Sequence, residues 1–260
     1  MLKAERHQQI LAAVVANGTL AVSDLARQFG VSELTIRRDL DELYKSGQVE
    51  RIRGGVRSSA PEEAEPPVVN RQRENVAEKR AITRAALDLI ADGEVIGLQM
   101  GTTTLELARA LARRSWDDLQ VVTNGIPIVN ELLRVPGIRL TCIGGVIDSD
   151  ELACNGILAE QLLTSVNLNR LFVGCRGIDP EHGITNTVQA EREFGTVQAF
   201  VRAAREVIVL ADHSKFNRIF FMQVLPITAI DRIITDALTP ADTLAQLAGQ
   251  GIAVDIAEVV

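Results

Sequence analysis

The chain has 260 residues, 47% of them apolar and 23% charged, with a net charge of −7. That length and composition suit a small domain beside a larger one and exclude a disordered chain. No apolar run approaches the roughly 20 residues that span a bilayer, and the polar start MLKAERHQQ has no secretory character, so a cytoplasmic protein without membrane contact is expected. Cys142, Cys154 and Cys175 are odd in number and lack CxxC spacing. They read as reduced core thiols, and nothing in the chain calls for a metal or a cofactor. The charge is unevenly spread. Residues 1–58 hold nine Lys and Arg against seven Asp and Glu, whereas the rest hold eighteen against twenty-seven. Such a split is compatible with one part meeting nucleic acid but does not by itself decide the matter.

In "ERHQQILAAVVANG", Ile10, Leu11, Val14 and Val15 fall at helical spacing, and the pattern stops at Asn17-Gly18. A short helix is expected from about Ser23 to Phe29, broken by Gly30. Ser32 can cap a third helix from Glu33 to about Ser46. Two helices joined by a tight Gly turn are the helix-turn-helix arrangement. On the third helix Ile36, Leu40 and Leu43 share one side and must pack inward. Leu34, Thr35 and Arg38 project from the other side, with Arg37 on its flank, near the end of a recognition helix that reaches base edges. Arginine there bonds a guanine edge or a phosphate, and Leu34 can touch a thymine methyl. Asp39, Asp41 and Glu42 are expected to limit the basic surface. "GQVERIRGGVRSS" then reads as a two-stranded hairpin turning at Gly54-Gly55, a basic wing carrying Arg51, Arg53 and Arg57. Paired arginines alone are a weak signal. The ordered set of helix, Gly turn, capped helix and basic hairpin points to double-stranded DNA.

"SSAPEEAEPPVVN" has no periodicity and reads as a semi-extended linker. The expected organisation is a DNA-binding domain at 1–58, a linker at 59–73 and a second domain at 74–260. In the second domain "EKRAITRAALDLIADG", "TTTLELARALARR" and "IPIVNELLRV" read as helices. "EVIGLQM", "LQVVT", "IRLTCIGG", "RLFVG", "EVIVLA" and "DRIIT" read as short apolar strands, and the tail adds "ADTLAQLAGQ" and "GIAVDIA". The alternation predicts a Rossmann-like, mostly parallel α/β sheet with helices on both faces. Ligands of such sheets bind beyond the carboxyl ends of the strands. There "MGTTTLELA" places Gly101, Thr102, Thr103 and Thr104 at a helix N-terminus, which suits a phosphate better than simple capping by one threonine. "FVGCRGID" brings Arg176 and Asp179 to the same rim, and "LADHSKF" brings Lys215, which reads equally as a phosphate-binding charge and as a solvated lysine.

"GVSELTIRRDLDEL" followed by "GQVERIRGGV" closely resembles the winged helix-turn-helix of DeoR-type bacterial transcriptional regulators. The resemblance implies that Ser32, Thr35, Arg37 and Arg38 lie at the DNA. One departure is Arg53, which stands where the family commonly has His. "EKRAI", "GTTT", "VVTN", "GG", "GID", "GIT" and "ADHSKF" extend the likeness through the second domain, in the family's order. It implies a sensor similar in fold to ribose-5-phosphate isomerase and an effector that is a phosphorylated sugar or a derivative. Carried over by motif, Gly101, Thr102, Thr103, Thr104 and Lys215 form the phosphate-binding group, and Thr123, Asn124, Gly145, Gly177, Thr185 and Asn186 form pocket wall. Gln99 stands where the family has Asp, and Arg176 where a small or polar residue is common. If both face the ligand, the site is about two charge units more positive than the family's usual one and suits a second anionic group. Arg176 paired with Asp179, and Gln99 on a neutral hydroxyl, are the open alternative.

The function expected is a repressor of carbohydrate-metabolism genes, acting as a dimer or tetramer because duplicated half-sites call for paired heads. The competing reading is a sugar-phosphate isomerase or deaminase with a DNA-binding appendage. It needs a positioned base, and Asp179, Glu191 and His213 complete no acid–base set in the sequence. An RNA-binding reading lacks the aromatic platform that single strands need, with aromatics at 3%.

Overall fold

A computed structural model describes residues 3–17, 19–45, 49–52, 54–58, 68–187 and 190–259. The chain divides into two compact units, Met1–Pro66 and Pro67–Val260. The first unit runs α1 (Lys3–Asn17), β1 (Thr19–Ala21), α2 (Val22–Phe29), α3 (Glu33–Lys45), β2 (Val49–Ile52) and β3 (Gly55–Ser58). Ile10 and Val14 of α1, Leu25 of α2, and Ile36, Leu40 and Leu43 of α3 share one buried core, closed by Val49 and Val56 of the wing. Gly30 ends α2 at φ 63° and ψ 33°, returning its N–H to the Ala26 carbonyl. A side chain there would be strained, so glycine sets the angle at which α3 departs. The expected hairpin is present, with Ile52 opposite Gly55. It belongs, however, to a three-stranded sheet in which β1 pairs with β3, Leu20 opposite Val56. Three residues between helices are too few to show a period-2 pattern, so β1 was not legible in the sequence.

The second unit begins with α4 (Val68–Arg71), α5 (Val76–Asp88), β4 (Val95–Leu98), α6 (Thr102–Leu111), β5 (Leu119–Thr123), α7 (Ile126–Leu132) and β6 (Ile138–Cys142). It continues with β7 (Val146–Asp148), β8 (Ala153–Asn155), α8 (Ile157–Leu163), β9 (Leu168–Val173), β10 (Gly177–Asp179), β11 (Gly183–Asn186) and α9 (Glu191–Ala203). It closes with β12 (Ala204–Leu210), β13 (Met222–Leu225), β14 (Arg232–Asp236), α10 (Ala241–Gly249) and β15 (Ala253–Ala257). Residues 68–73 were expected in the linker. Instead Val68 is fully buried in the core, its N–H bonds the Asp150 carbonyl at 3.2 Å, and Arg71 pairs with Glu151.

Seven parallel strands stand in the order β15-β14-β12-β9-β4-β5-β6. Alternate residues of each strand face opposite cores, which is why the strands read as unbroken apolar runs. Phe172, Ile208, Leu210 and Ile234 pack with α5, α6 and α7. Leu171, Val173, Val207, Val209 and Ile233 pack with α8, α9 and α10. A ladder of charges crosses the sheet near its amino-terminal edge. Arg170 of β9 bonds Glu94 and, at 2.9 Å, Glu206 of β12, while Arg232 of β14 reaches Glu206 at 3.3 Å and Asp255 of β15 at 2.6 Å. Two antiparallel additions, β7-β8 and β10-β11-β13, sit outside the main sheet and were not anticipated. No helix among the described residues is long and apolar enough to cross a membrane.

Candidate nucleic-acid interface and ligand crevice

On α3 the expected inward face is buried, and Leu34, Arg37 and Arg38 are exposed, Leu34 at 60%. The Ser32 hydroxyl accepts the Thr35 N–H at 3.2 Å and meets the Thr35 hydroxyl at 2.9 Å, so the cap that starts the helix also orients Thr35. Arg37 reaches Glu33 one turn back at 3.4 Å, a loose surface pair. Arg51 of the wing pairs with Asp41 and lies over the Tyr44 ring, 5.4 Å from its centroid. Arg53 and the Arg57 side chain fall outside the described residues.

Asp39 corrects an expectation. It does not border the basic surface but is buried at 2% exposure, on the side of α3 that faces α1. The Arg6 guanidinium donates to its two oxygens at 2.6 and 3.1 Å, and His7 Nε2 lies 3.0 Å from one of them. Burial alone would raise the Asp39 pKa, but the hydrogen bonds from Arg6 and His7 outweigh it and hold the carboxyl below its ordinary value.

In the second unit the chain lays down β4, β5 and β6 outward, then returns to place β9 on the other side of β4. The crevice beyond the carboxyl ends of β4 and β9 is therefore the switch point where such sheets take ligands. It is flanked by Gln99–Thr104 after β4 and Gly174–Arg176 after β9. Lys215 follows β12, the next strand over. The Gln99 N–H bonds the Phe172 carbonyl at 3.1 Å and fixes the two lips together.

The three threonines divide their work. Thr104 is fully buried and donates its hydroxyl to the Gln99 and Gly101 carbonyls at 2.7 and 3.0 Å, which shapes the turn. Thr102 and Thr103 make no side-chain hydrogen bond among the described residues, and Gly101, the N-cap of α6, has no side chain to cap the helix. Two hydroxyls and the first-turn N–H groups of a ten-residue helix are thus left for an anion.

Several residues expected as pocket wall are also tied into the scaffold. Thr123 donates to the Leu98 carbonyl at 2.7 Å and accepts the Gly125 N–H at 3.0 Å. Asn124 accepts the Met100 N–H at 2.8 Å and donates to Asn155 at 3.1 Å. Thr185 donates to the Arg218 carbonyl at 3.3 Å and accepts the Phe220 N–H at 3.0 Å. At Gly145 and Gly177 a Cβ would lie 2.5 Å from the Asn155 carbonyl oxygen and 2.4 Å from that of Arg218, so both positions exclude a side chain.

Gln99 and Asn186 donate their amides to the two oxygens of Glu193, at 3.3 and 3.0 Å. An Asp at position 99 would repel that carboxylate, which accounts for the amide. The Arg176 guanidinium lies over the Phe220 ring, 4.8 Å from its centroid. Asp179 closes the β10–β11 turn by accepting the Glu181 and His182 N–H groups at 2.9 and 3.0 Å. Beside the crevice Asp212 is buried. One oxygen accepts from Asn75 at 2.8 Å and from the Ser214 N–H at 3.0 Å, and the other has no hydrogen-bond partner among the described residues. Burial would raise its pKa, but the charge of Lys215 and the bonds from Ser214 leave it lowered. Lys79 is buried too, its ammonium bonding the Arg71 and Glu74 carbonyls at 2.7 and 2.6 Å, and desolvation brings its pKa to about 8.

Residues 6–62 match the model of the DeoR-like helix-turn-helix domain, and residues 74–237 match that of the DeoR C terminal sensor domain. The chain belongs to the DeoR family. It is 35% identical over 96% of its length to a putative aga operon transcriptional repressor of Escherichia coli O157:H7, covering 92% of that protein. It is 34% identical over 85% of its length to the transcriptional repressor AccR of Agrobacterium fabrum, covering 84% of it. Ribose 5 phosphate isomerase A from Neisseria gonorrhoeae superposes at a TM-score of 0.39 with 16% identity, over 53% of this chain and 52% of that one, too distant to speak to chemistry. The relatives matched along nearly the whole chain are regulators, so this DeoR-family chain is a DNA-binding transcriptional regulator and not an enzyme. Of the bases considered for an enzyme, Asp179 is held in its turn, His213 bonds Asp236 at 3.0 Å, and Glu191 is exposed.

In this DeoR sensor the residues missed by sequence reasoning are Glu193, Asn75, Asn155 and Lys79. Lys79 carried a signal, since it shares the buried stripe of α5 with Ile82, Thr83 and Ala86, where a lysine must find partners. Glu193 carried none, because it sits at the start of α9 and its partners, Gln99 in the loop after β4 and Asn186 at the end of β11, are brought to it only by the fold. The thiols depart from expectation in part: Cys154 is buried, Cys175 intermediate and Cys142 exposed.

Proposed function

We propose that this regulator is a repressor whose grip on operator DNA is set by a phosphorylated sugar or sugar derivative. Ser32, Leu34, Thr35, Arg37 and Arg38 meet the major groove, and the wing with Arg51, Arg53 and Arg57 holds phosphate. The two roles divide as 1–58 for DNA and 68–260 for the effector. The protein works in the cytoplasm, and at least two copies act together, since paired half-sites need paired heads.

The observation that carries the effector reading is the open N-terminus of α6. Thr102 and Thr103 have uncommitted hydroxyls at the switch crevice, with Lys215 on the loop after β12, two strands over from β4. Phosphate is the anion that such a set of donors suits. Gln99, Arg176, Gly177 and Asn186 bound the sugar, and Glu193 offsets part of the positive charge that Arg176 adds. Thermal-shift measurement against a panel of sugar phosphates tests this, followed by DNA binding with each hit. The fragment for that step is one the protein itself selects from a random-sequence pool. A hit should shift Tm and change DNA affinity, and both effects should vanish in Lys215→Ala. A panel of phosphorylated sugars that leaves Tm unmoved would refute the effector class.

A further inference from the structure

We propose that the surface formed by β7, α8 and the start of α9 is where two copies of this chain meet. The proposal rests on the two-copy reading above and names the face that serves it. Six large apolar side chains are exposed there: Val146 and Ile147 on β7, Ile157, Leu158 and Leu162 on α8, and Phe194 on α9, from 38% at Phe194 to 75% at Val146.

They belong to one continuous piece of structure. Val146 is paired with Asn155 and Ile147 with Cys154, and α8 starts two residues after Asn155. The Gly156 N–H bonds the Thr196 hydroxyl at 3.1 Å, and Gly195, next to Phe194, lies against the Glu160 carboxylate so closely that a Cβ would come within 2.1 Å of it. Arg192 reaches back to Asp148 at 3.6 Å and ties the start of α9 to the end of β7.

Val146 and Ile147 are consecutive on β7 and point to opposite faces of the ribbon, so a partner that covers all six side chains must embrace the β7 edge from both sides. Together the six present on the order of 500 Å² of apolar surface, more than half of the roughly 800 Å² each partner buries in a standard interface. A polar rim supplies the remainder. Two features select a second copy as the occupant. β7 pairs only with β8 among the described residues, so its outer edge is open, and a strand edge is complementary to itself across a two-fold axis. The border is net acidic, with Asp148, Asp150 and Glu151 at the β7–β8 turn and Glu160 on α8 outnumbering Arg71 and Arg192, which disfavours an anionic lipid surface or nucleic acid.

Sedimentation velocity of the full chain at micromolar concentration tests the assignment. The wild type should sediment as a dimer or larger, and the double variant Ile157→Glu, Leu158→Glu should lose at least tenfold in self-association. Ile147→Glu, on a different element, should weaken it in the same direction. These side chains are more than half exposed, so an unchanged Tm at low concentration verifies folding. If both variants keep the wild-type mass, the face is wrong while the two-copy reading stands. If the wild type is itself a monomer, with or without the DNA it selects, the two-copy reading fails, and the surface belongs to a different macromolecule.

Discussion

Arg37 and Arg38 are exposed beside the buried stripe of α3, so their role is separable from folding. The double change to Ala should leave Tm within about 4 °C of wild type, because surface substitutions away from special features stay within about 0.5 kcal/mol. DNA affinity should fall, and each lost phosphate contact should flatten the log–log salt dependence by about 0.9. Leu34→Ala should change base preference more than the salt slope. Fluorescence anisotropy at several salt concentrations reads all three, and an unchanged affinity and slope in the double variant would place the DNA on another face. Asp39 makes the opposite case, a charged residue whose work is internal. Its folded pKa is depressed, so the stability it contributes is present above the ordinary carboxylate value near 3.9 and is lost as pH falls through the lower folded value. Asp39→Asn should therefore lower the stability of the first unit at pH 7 and remove part of its acid-dependent loss. Denaturant titration followed by circular dichroism from pH 7 to pH 3 checks this. A variant whose stability fell with acid as steeply as the wild type's would show that Asp39 is not the group responsible.

Most elements long enough to show a period were legible. The buried strands of the parallel sheet announced themselves as apolar runs, and α3 showed its stripe at Ile36, Leu40 and Leu43. The strands that escaped were short and antiparallel, β1, the β7-β8 pair and the β10-β11-β13 sheet, none longer than four residues, and the helices α8 and α9 were foreseen only as unassigned helical runs. Strands of that length are specified by the partners they meet, not by their own pattern. The same holds in the crevice, where "GTTT" was readable as a helix start but the division between Thr104 and its two neighbours was not. That division depends on carbonyls placed by the Gln99 turn. Nor did the sequence show that Glu94, Arg170, Glu206, Arg232 and Asp255 form one ladder, since the order of the strands decides which charges are neighbours. Glu206 bridges two arginines at partial exposure. Glu206→Gln should cost about 1 kcal/mol, less at high salt, as screening weakens pairs of this kind. Urea unfolding of the second unit at low and at high salt measures it. A loss that does not shrink with salt would point to packing instead of charge.

On the proposed reading the molecule has to connect an anion bound in one unit to DNA bound by the other, and thermodynamics constrains how. An effector shifts the equilibrium only by its differential affinity for the DNA-competent and DNA-incompetent states. A typical coupling of about 1–3 kcal/mol corresponds to a change of roughly 5–150-fold in DNA affinity. Lys215→Ala and Thr103→Val touch only the effector side of that cycle, so each should leave unliganded DNA affinity near wild type and abolish the response. Thr103 is buried at 6% exposure, and valine keeps its shape while removing the hydroxyl, which separates loss of a donor from loss of packing. Linkage adds a stricter requirement. If a sugar phosphate weakens DNA binding by a given factor, saturating DNA must weaken binding of that sugar phosphate by the same factor. Calorimetric titration of the effector into free protein and into the protein–DNA complex measures the second factor independently. Equal factors that both collapse to one in Lys215→Ala would locate the coupling at the α6 crevice. A DNA response that survives in Lys215→Ala and Thr103→Val would mean that the phosphate is held elsewhere.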